Sequence, residues 1–243
     1  PEKENQSFLA LYQDCFHQTP ETSLPNEDTS RAASILMETL EFWVAEQMAQ
    51  KLGPGALLLR DGPLRVSHAS HDPVLNRIDQ LCRKQDIGLA GVSKRSTSTW
   101  GGGYPFLLSV RVLAKSLKIS PPWWIAVDPT ILDHSPFPQW QHGEMYVVSL
   151  HSRAKRPLKI ELPRNLPQEK VHQIMDRLAA CSADGRIPGY PYPLFDAHRS
   201  VVLSREVVDQ IRNDLVTGMI AEGIDRQTYD ILFGDFHDEF ARY

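Results

Sequence analysis

Ala56-Leu57-Leu58-Leu59-Arg60-Asp61-Gly62-Pro63-Leu64 opens with four consecutive apolar residues and ends in a carboxylate and a turn dipeptide. A continuous apolar run of this length, bounded by Gly53-Pro54-Gly55 on one side and Asp61-Gly62 on the other, reads as a short buried strand. The flanks extend the pattern. Between Arg31 and Gly53, Ala33, Leu36, Met37, Leu40, Trp43, Val44 and Met48 fall on one face at 100° per residue, which predicts a helix. Downstream, Val74, Leu75, Ile78 and Leu81 predict a helix over 73–84, and Ile87 to Val92 predicts a second strand. Helix, strand, helix, strand is the opening of an α/β domain.

Further along, a Ser/Thr/Gly-rich loop covers 93–103, Phe106 to Leu117 reads as helix, and Trp123 to Val127 as an extended segment. Met145 to Leu150 and Leu158 to Leu162 flank a polar tip and predict an antiparallel hairpin. The sheet is therefore expected to be mixed, flanked by helices, in a single domain. Val171, Ile174, Met175 and Leu178 mark a later helix; the proline-rich run 186–194 reads as irregular, and Val201 to Leu203 as a short strand. Ser204 is a plausible cap for a helix to Gly223, and Gln227 to Tyr243 reads as helical.

Composition narrows the function classes. In 243 residues, 42% hydrophobic content fills a sizeable core and excludes a disordered or fibrous chain. With 26 Lys+Arg against 30 Asp+Glu, the net charge of −4 excludes a globally basic nucleic-acid binder and leaves room for a local basic groove. Lys94-Arg95 and Arg153, Lys155, Arg156 and Lys159 are the locally basic stretches, and Trp123-Trp124 offers rings that could stack on bases. Cys15, Cys82 and Cys181 lie far apart without a CxxC, which points to a reducing, cytoplasmic setting. No apolar run approaches the ~20 residues of a membrane helix.

Three places carry chemistry. Asp61 ends a buried strand, where α/β folds put ligands and metals, although Asp-Gly is also an ordinary turn dipeptide. In the preceding helix Glu41 falls about 80° from the apolar centre, so it can reach over the helix edge toward Asp61, whereas Glu38 and Glu46 fall about 140° away and are expected to face water. Two such carboxylates begin a Mg²⁺ or Mn²⁺ site. Tyr190 and His198 stand eight residues apart around prolines that stiffen the segment, a phenol and an imidazole suited to phosphate contact or proton transfer.

Taken together, Glu41, Asp61-Gly62-Pro63-Leu64, Gly91-Val92-Ser93-Lys94 and Tyr190-Pro191-Tyr192-Pro193-Leu194-Phe195-Asp196-Ala197-His198 resemble the NurA nuclease family in kind and order. Lys159-Ile160-Glu161-Leu162-Pro163 is similar to the strand before that family's late helix. The resemblance implies an RNase H-like and Piwi-like fold and a divalent metal, Mn²⁺ or Mg²⁺. It also implies a DNA nuclease of the 5′ to 3′ exonuclease and single-strand endonuclease type. Such a nuclease works as a homodimer with a hexameric HerA-type translocase in end resection and double-strand break repair. On the same basis Asp61 and Glu41 would be metal ligands, Tyr190 and His198 the late active-site pair, and Lys94, with its neighbour Arg95, a nucleic-acid contact.

One departure stands out. The family's earliest catalytic aspartate lies on a strand ahead of the acidic helix, and neither Asp14, followed by Cys15, nor Asp28, in a polar loop, ends a buried strand. The expectation is that this strand lies upstream of Pro1 or that the ligand has been lost. In the second case the chain would be a NurA-like scaffold for the translocase rather than an active nuclease.

Overall fold

The computed structural model describes residues 2–22, 29–133 and 141–223. The expected helix over Gln227–Tyr243 lies outside the described residues, as does Asp28. The chain divides into two compact units, Pro1–Asp196 and Ala197–Tyr243.

The first unit holds a five-stranded sheet of β1 (Leu57–Asp61), β2 (Gly88–Ser93), β5 (Trp123–Val127), β6 (Gly143–Ser149) and β7 (Leu158–Pro163), in the order β1-β2-β7-β6-β5. β1 runs parallel to β2, and every other neighbouring pair is antiparallel. The sheet is thus mixed, as the sequence predicts, and β6–β7 is the expected hairpin. Two short strands, β3 (Thr99–Trp100) within the Ser/Thr/Gly-rich loop and β4 (Tyr104–Pro105) just after it, pair with each other. Helices α1 (Glu2–Phe16), α2 (Thr29–Lys51) and α3 (Asp72–Lys84) share one core with Leu64 and Leu89. Helix α5 (Gln168–Cys181) packs its Val171, Ile174, Met175 and Leu178 with Val92, Ile160 and Leu162 in another. Helix α4 (Phe106–Ser116) brings Phe106 against Val127, Met145 and Val147.

Two sequence expectations need correcting, and one helix is unanticipated. The proline-rich run is helical from Tyr192, forming α6 (Tyr192–Val201), because Pro193 sits in the first turn where its missing N–H costs nothing. Val201 ends that helix, and Val201 to Leu203 forms no strand. Helix α1 is the unanticipated one, although Phe8, Tyr12, Cys15 and Phe16 recur at helical spacing, and Phe8, Tyr12 and Phe16 are all buried. In the second unit, α7 (Arg205–Ala221) starts as expected, with the Ser204 hydroxyl accepting the Val207 N–H at 3.4 Å. Among the described residues no helix is long and apolar enough to cross a membrane.

The phase of α2 is the largest departure. Its buried residues are Ala32, Ile35, Glu38, Thr39, Phe42 and Ala49, while Met37, Leu40, Trp43, Val44 and Met48 are 38% to 60% exposed. The helix therefore has two apolar faces, and the one holding Glu38 and Thr39 turns inward. That choice is possible because each inward polar group finds a partner. Thr39 Oγ1 donates to the Ile35 carbonyl at 2.9 Å and lies 2.8 Å from His71 Nε2, and Glu38 is bonded by His71, Ser67 and Arg60. Burying Phe42 and Ile35 contributes about 1.5–3 kcal/mol each.

The chain leaving β1 then doubles back over the sheet. Gly62 N–H donates to the Val92 carbonyl at 2.9 Å, and Leu64 N–H donates to Glu161 Oε2 at 2.8 Å. Glu161 is fully buried, and its other oxygen meets Lys159 Nζ at 2.7 Å. Gly91 makes this crossing possible, since a Cβ there would stand 2.6 Å from the Gly62 carbonyl oxygen and 2.8 Å from Leu64 N. Both are backbone atoms that cannot rotate aside. Gly91→Ala is expected to cost about 1–3 kcal/mol by overpacking. The matching fall in melting temperature is on the order of 2–10 °C, measurable by thermal circular dichroism.

Candidate functional site

Strand alternation sorts the charged residues around β1 onto two faces. Asp61 pairs in register with Val92, which pairs with Ile160, so its side chain belongs to the face that packs on α5. Arg60, one residue earlier, turns the other way, toward α2.

On the α5 side, Asp61 is 44% exposed and its Oδ2 meets Lys94 Nζ at 2.5 Å. Lys94 follows directly on β2, and its Nζ lies 6.0 Å from the centre of the Tyr190 ring. Tyr190 is buried, and its hydroxyl has no hydrogen-bond partner among the described residues. Burial, and then the charge of Asp61, push the Tyr190 hydroxyl above the ordinary tyrosine range, so at neutral pH it is an uncharged donor. A buried hydroxyl left without a partner costs roughly 1–3 kcal/mol. The hydroxyl has almost no accessible surface, so a phosphate oxygen reaches it only if the Tyr190 side chain or its surroundings shift. Carboxylate, ammonium and phenol therefore converge at the ends of two parallel strands, where open α/β sheets place their ligands.

On the α2 side lies a separate network. Arg60 donates from Nη1 to the carbonyls of Pro63 (2.7 Å) and Arg65 (2.6 Å) and from Nη2 to Glu38 Oε1 (2.9 Å), and its guanidinium lies 4.5 Å over the Phe42 ring. Glu38 Oε2 accepts from Ser67 N–H at 2.9 Å and Ser67 Oγ at 2.6 Å, and it lies 2.9 Å from His71 Nδ1. Burial alone would raise the Glu38 carboxyl, but the bonds from His71 and Ser67 and the charge of Arg60 outweigh it and hold the group at about 2.

The sequence candidates thus separate. Asp61, Lys94 and Tyr190 come together, although they are 129 residues apart in sequence from first to last. Glu41 does not join them: 46% exposed, it sits 3.5 Å from Arg60 Nη2, on the opposite side of the strand from Asp61. Glu38, expected in water, is the buried acid instead. Arg95 is exposed beside Lys94, and His198 is exposed in the last turn of α6, in the second unit. Asp14 is exposed on α1. Sequence reasoning missed Arg60, His71 and Glu161. A charged residue inside an apolar strand run was the available signal for Arg60, and an isolated Glu between Ile160 and Leu162 was the signal for Glu161.

Among the described residues no group of three His, Cys, Asp or Glu side chains could hold a metal ion. Asp61 has an ammonium, not a second carboxylate, as its near neighbour. The described residues do not by themselves fit a Mn²⁺ or Mg²⁺ cage.

Of three comparisons with known proteins, two find a match. The NurA domain matches residues 16–203. No protein of curated function matches the chain. The crystal structure of the NurA nuclease from Sulfolobus solfataricus is similar in fold, with a TM-score of 0.51 and 19% identity over 84% of this chain and 72% of that one.

Proposed function

The chain belongs to the NurA family, and on that premise we propose that it is a nuclease that hydrolyses DNA phosphodiesters at the Asp61–Lys94–Tyr190 cluster. The observation that carries this reading is the buried, unpartnered Tyr190 hydroxyl beside an exposed carboxylate and its ammonium. Lys94 offers the charge that a phosphate needs, and Tyr190 offers a neutral donor to one of its oxygens. Asp61, released from Lys94 when phosphate takes the lysine, becomes an acceptor for a water proton. Family resemblance adds Glu41 and His198 to the set. Glu41 would have to leave Arg60 to take part.

The finer reading is part of the same proposal. It comprises 5′ to 3′ exonuclease and single-strand endonuclease activity with Mn²⁺ or Mg²⁺, a homodimer, a HerA-type hexameric translocase and a role in end resection. The exposed apolar face of α2 supports a protein partner, because five large apolar side chains at helical spacing form a larger patch than scattered surface residues do. A catalytically impaired scaffold is the second reading, favoured by the single carboxylate among the described residues of the cluster.

End-labelled single-stranded and duplex DNA, incubated with Mn²⁺, with Mg²⁺ and with chelator, tests the assignment. Cleavage is expected with either metal and none with chelator, and early release of short 5′-labelled products marks the polarity. Intact DNA in both metals overturns the nuclease reading in favour of the scaffold.

A further inference from the structure

At the far edge of the sheet, α4, the start of β5 and the turn between β6 and β7 enclose a cleft of about 240 Å³. Its walls carry Arg111, Lys115 and Arg156, the hydroxyls of Ser149 and Ser152, and the Trp123 indole, with no acidic residue among them. Arg111 Nη1 donates to the Lys155 carbonyl, which fixes the guanidinium against the turn. None of the three cations pairs with a carboxylate among the described residues. Three uncompensated cations in one recess of a chain with net charge −4 make a site for an anion, and the indole beside them suits a base or sugar.

The place of the cleft in the fold says which anion. Trp123 pairs in register with Ser149, at the end of the sheet where β2 leads into Lys94 and β1 ends in Asp61. Trp123 and Ser149 share the α4 face with Val127 and Val147, whereas Asp61 lies on the α5 face. A nucleic-acid strand joining the two places crosses the end of the sheet and covers four strand spacings of about 4.8 Å, roughly 19 Å, together with the sheet's thickness, which several linked nucleotides span. The 150–157 turn also adjoins the segment that presents Tyr190. A Cβ on Gly189 would stand 2.4 Å from Ala154 Cβ, so the turn and the segment touch only because residue 189 has no side chain.

Resting on the nuclease reading above, we propose that this cleft is a second nucleic-acid subsite. It grips the backbone phosphates of a single strand several nucleotides from Asp61 and stacks one base on Trp123. A single strand is specified because a base inside a duplex is already stacked and closed to the indole, and the recess is too small for a double helix.

Anisotropy of fluorescein-labelled oligothymidine of about 20 nucleotides, in chelator and across a salt series, tests this on the full chain. The triple variant Arg111→Gln, Lys115→Gln, Arg156→Gln is expected to bind at least about tenfold more weakly. Its slope of log affinity against log salt should be shallower by about 2, since each phosphate contact contributes roughly 0.7. Trp123→Phe should lose the DNA-induced quench of tryptophan emission while melting as the unaltered chain does. A chain that cuts DNA with metal but whose triple variant keeps affinity and slope overturns the subsite alone. A chain that neither binds nor cuts DNA overturns the nuclease reading and the subsite together. Polyglutamate displacing the DNA at equal charge concentration overturns it in favour of an acidic polypeptide.

Discussion

Asp61→Asn is expected to lower DNA cleavage by three orders of magnitude or more while leaving the melting temperature within a degree or two of the unaltered chain. The two halves of this result have separate causes. Asp61 is almost half exposed and makes one ion pair, with Lys94. An exposed pair of this kind contributes about 0–1 kcal/mol, so its loss does not unfold the protein. The carboxylate is nevertheless the one acid among the described residues beside Lys94 and Tyr190. Asparagine keeps its shape but cannot accept a proton at neutral pH. Two companions sharpen the test. Lys94→Met removes the cation and should raise KM for DNA more than it lowers kcat, whereas Tyr190→Phe removes a hydroxyl that has no partner among the described residues. Tyr190→Phe should therefore melt no lower than the unaltered chain, and any loss of cleavage reports on chemistry. Full cleavage by Asp61→Asn would remove the cluster from the mechanism.

The parts of this fold that follow simple periodicity were legible in the sequence. The apolar run before Asp61, the run before Lys94 and the β6–β7 hairpin form strands where alternation and turn residues put them. Helix α2 was legible as a helix but not in its orientation. An apolar-periodicity reading picks the greasier of two faces, and here the inward face carries Glu38 and Thr39, whose cost is offset by His71, Ser67 and Arg60 from distant positions. No local pattern encodes those partners. The same holds at the candidate site. Asp61, Lys94 and Tyr190 were each visible as motif residues, yet the parity of β1, which turns Arg60 toward α2 and Asp61 away from it and so parts Glu41 from Asp61, has meaning only once α2 is known to pack on the Arg60 side. Gly91 was visible only as the first residue of the Gly-Val-Ser-Lys motif, and the Gly62–Leu64 crossing supplies the reason a Cβ is excluded there.

Glu38→Gln is expected to be strongly destabilising, and the pH dependence of its effect identifies the cause. In the folded chain the Glu38 carboxyl is held at about 2, against an ordinary value of 4.5. That depression corresponds to roughly 3 kcal/mol of stability. Because the folded value lies below the unfolded one, the stabilisation is complete above about pH 4.5 and drains away as the pH falls toward 2. The glutamine variant should therefore melt on the order of 6–12 °C lower at pH 7. The gap between the two chains should close progressively from pH 4.5 downward. Glu41→Gln is the control: its carboxylate is exposed and 3.5 Å from the same Arg60, so little change in stability is expected at any pH. A gap for Glu38→Gln that stays constant down to pH 2 would mean that packing, not charge, sets its cost. Glu38 would then be a shape-filling residue, and the inward phase of α2 would need another explanation than the one its hydrogen bonds supply.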